Sequence, residues 1–265
     1  MQQYAGGKML ANAQGRIGFV TFNQPEKRNA ISVDMWSGLA EILRIFSADP
    51  AIRIVVMAGA GDKAFVSGAD IGQFDKMRGD ADAQSEYDRL TSEGRAALAQ
   101  FNKPLIAEIR GFCLGGGLNI AMNADLRIAA EHSEFGAPAA KIGNVYGLEM
   151  ASKLVSLIGP AHARMMLYTG SRIGSTQAER IGLINQAVPD ENLHEKTLEI
   201  ANAIADCAPL SVLAHKIVVT ECLKDANKRD MASVQNSIKA CLDSADYREG
   251  RRAFMEKRPP KFLGE

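Results

Sequence analysis

Neither sign of charge is in excess in this chain: 31 Lys and Arg stand against 31 Asp and Glu. No global field therefore draws it to nucleic acid or to an anionic membrane, and any anion must be met by a local basic cluster. Cysteine is scarce. Cys113, Cys207, Cys222 and Cys241 form no C-x-x-C pair and lack the dense spacing of a secreted disulfide scaffold, so all four read as reduced core thiols. No run of about 18 apolar residues occurs, and the opening MQQYAGGKML has no charged segment followed by an apolar stretch; the expectation is a cytoplasmic protein without membrane contact. The chain also lacks a G-x-x-x-x-G-K-[ST] phosphate loop, a strand-borne G-x-G-x-x-G and a G-x-S-x-G elbow, which removes the usual signatures of P-loop, dinucleotide and serine-hydrolase chemistry. Ser67 and Asp70 are thus left without the frame of a hydrolase pair. His132, His162, His194 and His215 are scattered without ligand spacing, so surface or capping roles and no metal site are expected.

What is present is enough to close a large core: 265 residues, 46% of them hydrophobic. Arg16 to Phe22 reads as a strand stopped at Asn23-Gln24-Pro25. Ser32 is placed to cap a helix in which Met35, Trp36, Leu39, Ile42, Leu43 and Phe46 recur at three- and four-residue spacing until Asp49-Pro50. Ile52 to Ala58 is a nearly continuous apolar run, as for a strand buried on both faces. Gln73 to Glu93 is polar and charged and predicts a mobile loop running into a helix. Pro104 to Ile109 and Leu126 to Ala129 read as strands, with a short helix opened by Gly115-Gly116-Gly117 between them. Beyond Pro160 the pattern turns helical, with Glu191 to Asp206, Leu210 to Leu223 and Met231 to Leu242 interrupted only by strand-like Arg172-Ile173 and Gln186 to Val188. The fold class is α/β, a core of repeated strand–strand–helix turns with a helical C-terminal part. We place the core and its site at 1–200 and the helical region at 201–265.

Two segments set glycine beside a strand end: Lys63 to Ile71 (KAFVSGADI) and Gly111 to Asn119 (GFCLGGGLN). Three glycines in succession cost helix stability, and they suit a place where a ligand approaches the backbone and N–H groups at a helix start face negative charge. Taken alone, the run is equally a tight strand-to-helix turn.

The order of these segments and their flanks resembles the crotonase (enoyl-CoA hydratase/isomerase) family along almost the whole chain. The matching elements are PEKRNAIS at Pro25 to Ser32, KAFVSGADI, KPLIAEIRGFCLGGGLNIAMNADLRIAA at Lys103 to Ala130, FGAP at Phe135 to Pro138, and EGRRAFMEKRPPKF at Glu249 to Phe262. The tail is also similar to that of methylmalonyl-CoA decarboxylase. The resemblance implies a crotonase-like spiral of ββα units assembled as a homotrimer or a dimer of trimers, with the C-terminal helices serving trimerisation. It implies an acyl-CoA substrate, with coenzyme A arriving as part of that substrate and no permanently bound cofactor. By the same likeness, the backbone N–H groups of Ala69 and Gly116 form an oxyanion hole and the carbonyls of Ser67 and Ile71 receive the adenine. Lys27 and Arg28 would meet the nucleotide phosphates, unless they are solvated surface charges, and Phe254 and Lys257 close the site from a neighbouring subunit.

The chain departs from the family at the acids. Hydratases carry a glutamate two residues after the third glycine and another after the proline of FG-x-P; here those positions hold Asn119 and Ala139. Some relatives carry an aspartate eight residues further on, and here that position is Gly147. An amide and a methyl group cannot exchange protons near neutral pH, so simple hydratase turnover is expected to be slow or nil. Tyr146 stands where the decarboxylase has a tyrosine, which admits malonyl-type decarboxylation, while a silent acyl-CoA-binding protein is the third possibility. Glu134 and Glu149 lie near enough in sequence to supply a displaced acid, but spacing selects neither.

Overall fold

The computed structural model describes residues 1–70, 72 and 81–265. Gln2–Tyr4 (β1), Met9–Gln14 (β2) and Ile17–Phe22 (β3) form an antiparallel meander, and Val33–Ala48 (α1) follows. Three strand–strand–helix turns come next: Ile54–Gly59 (β4), Ala64–Val66 (β5) and Ala81–Ala99 (α2); Leu105–Ile109 (β6), Phe112–Leu114 (β7) and Gly116–Asn123 (α3); Leu126–Ala130 (β8), Glu134–Gly136 (β9) and Leu148–Thr169 (α4). Arg172–Gly174 (β10), Ser175–Arg180 (α5) and Gln186–Val188 (β11) complete the core. The first strand of each turn joins a sheet of order β1-β2-β3-β4-β6-β8-β11, and the second joins a smaller sheet of order β10-β9-β7-β5. The chain therefore alternates between two sheets as it advances, which is the crotonase-like spiral.

The apolar run in β4 shows why. Ile54 and Val56 face one cluster, with Ile17, Ile106, Ile128 and Leu193, while Val55 and Met57 face another, with Phe65, Leu105, Cys113 and Phe135. Each fully buried side chain of this size contributes roughly 1.5–3 kcal/mol. Leu193–Ala205 (α6) covers the outer face through Leu193, Ala201 and Ala205. Pro209–Cys222 (α7), Met231–Asp243 (α8) and Ala245–Glu256 (α9) form the helical end. There the last residues fold back on α9: Asp246 accepts from the amides of Leu263 and Gly264, and Glu249 is bonded by Arg258 and Arg252. Those two guanidiniums hold the Glu249 carboxyl far below the usual carboxylate range. Among the described residues no single helix is long and apolar enough to cross a membrane.

Several expectations change. Ser32 occupies the N-cap of α1, but its hydroxyl bonds Asp34 instead of capping a backbone amide. Within the polar stretch from Gln73 to Glu93, residues 81–93 belong to the long helix α2 and are not loop; 73–80 lie outside the described residues. Only Cys113 is a core thiol, and burial pushes its pKa up, whereas Cys207 and Cys222 are exposed. The histidines are all exposed, and two of them form pairs, His132 with Asp190 at 3.4 Å and His194 with Glu108 at 3.0 Å.

Candidate active site

β5 and β7 are parallel neighbours, with Ala64 opposite Phe112 and Val66 opposite Cys113. Their C-terminal ends therefore deliver the Ser67–Asp70 and Gly115–Gly117 turns to the same place, as carboxyl ends of adjacent parallel strands do.

The first turn is held by the PEKRNAIS segment. Pro25–Lys27 forms a short 3-10 helix, after which Arg28 and Asn29 both adopt left-handed backbone, with φ 52° and 54°. Asn29 is 0% exposed and fully bonded: its Nδ2 donates to Ala60 O at 2.9 Å and Ala64 O at 2.7 Å, and its Oδ1 accepts from the Gln24 amide at 2.9 Å. The turn is then stitched rung by rung. The Ser67 amide donates to Arg28 O at 3.1 Å, Ile31 to Gly68 O at 2.8 Å, and Asp70 to Ile31 O at 3.0 Å. In a parallel bridge of this kind the intervening residue turns its own N–H away, so the half-buried Ala69 amide points off the Ile31 side, and among the described residues it has no acceptor.

The second turn needs glycine for two reasons. Gly115 has φ 53° and ψ −113°, a conformation closed to other residues, and its amide donates to Gly136 O at 2.9 Å. A methyl group on Gly117 would stand 1.9 Å from Val66 O, so only a bare backbone lets α3 lie against β5. Gly116 opens α3, where an N–H has no acceptor within the helix. A methyl group at Gly116 would lie 3.7 Å from the Ala69 amide nitrogen. The two turns thus approach each other at these two residues. The far end of α3 is pinned by Arg127, which is buried and donates to the carbonyls of Ala121, Ala124 and Leu183; burial lowers its pKa.

Beside these turns lie Asn119, one turn along α3 with its amide donating to Gly115 O at 3.0 Å, and Tyr146, whose hydroxyl would be 3.3 Å from a methyl group on Gly115. Ala139 is buried at 6% exposure in the 3-10 helix Pro138–Ile142, and Gly147 is the N-cap of α4. Neither neighbouring acid is free. Glu134 pairs with Arg172 at 3.1 Å, and Glu149 with Lys153 at 3.0 Å.

At the other edge, Lys27 donates to Asp70 at 2.7 Å, and that hydrogen bond raises the lysine pKa. Asp70, 8% exposed, also accepts from the Gly72 amide at 3.0 Å, so both its oxygens are engaged without Ser67. Arg28 and Arg172 both lie on the Phe112 ring, at 5.3 and 5.0 Å from its centre. Ile71 lies outside the described residues. Phe254, 83% exposed near the end of α9, and Lys257 beyond it belong to the tail. Within the chain Phe254 borders a cavity of about 340 Å³ with Leu210, Cys241, Tyr247 and Phe262. The structure thus joins Ala69, Gly116, Asn119 and Tyr146, and leaves Phe254 and Lys257 at the end of a separate helix. Asn29 is the residue that sequence reasoning passed over, although an Asn flanked by turn residues is a known marker of left-handed backbone.

The fold and this pair of glycine turns define a crotonase-type protein, and comparison with known proteins agrees. The chain belongs to the enoyl-CoA hydratase/isomerase family, whose pattern it matches over residues 12–265. It is 31% identical to a crotonyl-CoA hydratase of Syntrophomonas wolfei over 97% of this chain and 98% of that one. It is 34% identical to an (E)-benzylidenesuccinyl-CoA hydratase of Thauera aromatica over 94% of this chain and 96% of that one. The crystal structure of an enoyl-CoA hydratase/carnithine racemase from Magnetospirillum magneticum superposes with a TM-score of 0.92, at 34% identity, covering 97% of this chain and 96% of the other.

Proposed function

We propose that this chain acts on an acyl-CoA thioester through an enolate whose oxygen is held by the backbone amides of Ala69 and Gly116, and that it does so without two-glutamate hydration. The carrying observation is the close approach of the two turns at those residues. A thioester carbonyl that becomes an enolate gains negative charge on oxygen, and a preorganised donor aimed at such an oxygen is worth about 3–4 kcal/mol. Main-chain donors keep that capacity whatever side chains surround them. Proton transfer does not: general acid–base catalysis contributes roughly 10²–10⁴-fold, and positions 119, 139 and 147 hold Asn, Ala and Gly.

Coenzyme A enters as part of the substrate, its adenine at the Ser67 and Ile71 carbonyls and its phosphates near Lys27 and Arg28. Lys27 already has a partner in Asp70, a half-exposed pair of modest worth that a phosphate can share or displace. Phe254 and Lys257 complete the site from a neighbouring subunit of a homotrimer or dimer of trimers. In support of that, the exposed Phe254 has no part in its own chain's site.

Tyr146 favours a second reading, malonyl-type decarboxylation, because its hydroxyl stands against Gly115. There the bond from Cα to the carboxylate breaks, its electron pair enters the enolate, CO₂ leaves, and a solvent proton returns to Cα. Such a step needs charge stabilisation and orientation more than a base.

A panel of acyl-CoA esters, assayed for hydration, Cα proton exchange and CO₂ release, tests this. Exchange or CO₂ release is expected with at least one ester, and crotonyl-CoA hydration far below the usual range of roughly 1–10³ s⁻¹. Hydration within tenfold of ordinary rates would show the acid–base accounting to be wrong. Tight binding without any turnover would make the chain a silent acyl-CoA-binding protein.

A further inference from the structure

A cavity of about 1020 Å³ opens between α9 and the tail that folds back on it. Its charged lining is Arg248, Arg252, Arg258, Lys261, Asp246 and Glu249. Both acids are already spent. Asp246, 2% exposed, accepts from the amides of Leu263 and Gly264 at 2.7 and 2.8 Å, and Glu249 accepts from Arg252, Arg258 and the Lys261 amide. The cations divide. Arg258 is taken up by Glu249 and Glu256, and Arg252 by Glu249 alone. Arg248 donates to Asp243 O at 3.0 Å, and among the described residues neither Arg248 nor the Lys261 ammonium has an acid partner. Four cations against two acids make this cavity positive in a chain of zero net charge.

The walls are held before any ligand arrives. Pro259 and Pro260 fix φ along the tail, and Arg53, just ahead of β4, donates to Phe262 O. Arg248 and Arg252 stand four residues apart and so share a face of α9. Phe254, two residues past Arg252, turns to the other side of the helix, where it borders the smaller cavity and not this one.

We propose that this cavity binds a small polyanion carrying two adjacent phosphates, with Arg248 from α9 and Lys261 from the tail as its main contacts. Arg252 adds the guanidinium nitrogens that Glu249 does not use. A guanidinium fork fits the oxygens of a phosphate, and a lysine ammonium meets phosphate as a point charge. One carboxylate brings too little charge for two unpaired cations on opposite walls, whereas a diphosphate offers charged oxygens to both. The acyl-CoA reading uses none of these residues, so the two stand or fall separately.

The test is calorimetric titration of the full chain at low salt with inorganic pyrophosphate and with ADP. Pyrophosphate is expected to bind the native chain, and Arg248→Gln/Lys261→Gln to weaken it by at least about tenfold through the loss of two charge-assisted contacts. Both residues are exposed, and Arg248→Lys/Lys261→Arg, which keeps the charges, should stay within about threefold of native affinity. Lys27→Gln/Arg28→Gln should leave the titration within about twofold. Equal affinity for ADP and pyrophosphate supports recognition of the diphosphate alone, and tighter ADP binding supports a nucleoside diphosphate. Absence of pyrophosphate binding to the native chain overturns the proposal, as does an affinity unchanged in Arg248→Gln/Lys261→Gln. Binding lost in Lys27→Gln/Arg28→Gln places the anion at the glycine turns and overturns it as well.

Discussion

Asn29 and Asn119 are the same residue type doing opposite things. Asn29 is fully buried and spends three hydrogen bonds on carbonyls and an amide of its own chain, tying the turn after Gln24 to Ala60 and to Ala64 at the start of β5. Asn119 leaves its Oδ1 without a donor beside the second glycine turn. The first end of the site is built from backbone held by ladder bonds. The second depends on side chains, and positions 119, 139 and 147 there hold Asn, Ala and Gly. Main-chain chemistry survives side-chain substitution because its donors come with the fold, whereas proton transfer is lost with a single carboxylate.

Restoring the acids is the severest way to break this contrast. The double variant Asn119→Glu/Ala139→Glu is expected to raise crotonyl-CoA hydration by about 10²–10⁴-fold, read as absorbance loss of the enoyl thioester. No gain would mean that the amide end is not competent either. The next test removes a donor. Gly116 is the first residue of α3, where proline is tolerated and lacks only the N–H. Gly116→Pro should keep the circular dichroism of the native chain and lower kcat by roughly 10²–10³-fold on whichever ester is turned over. The smallest effect separates the two asparagines by stability. Asn29→Ala takes a donor from the part-buried Ala60 carbonyl and the buried Ala64 carbonyl and forces alanine into left-handed backbone, for a loss of about 3 kcal/mol in urea unfolding. Asn119→Ala is expected to stay within about 1 kcal/mol of the native chain, since its Oδ1 makes no bond to lose.

Elements long enough to show a period were legible from residues alone. The spacing of Met35, Leu39, Ile42 and Phe46 gives α1, and all four are buried there; the unbroken run of β4 is explained by burial on both faces. The strands that carry the site were not read as strands. β5, β7 and β9 are three residues each, too short for any alternation to emerge, and their pairing is with one another across distant sequence. The glycine run was visible as a place where something must come close. That the close neighbour of Gly117 is Val66 O was not, because nothing local to either residue requires it.

By itself, then, the sequence determined the α/β class, the apolar strands and helices, the family motifs and the uncharged residues at 119, 139 and 147, since these follow from residue type and short-range order. Only the tertiary structure decided that Ala69 meets Gly116, that Asp70 belongs to Lys27, that Glu134 and Glu149 are neutralised, and that Asn119 Oδ1 is left over. Each of those depends on which strand lies beside which, a long-range choice made by burial of two sheet faces at once and not by any residue's local preference.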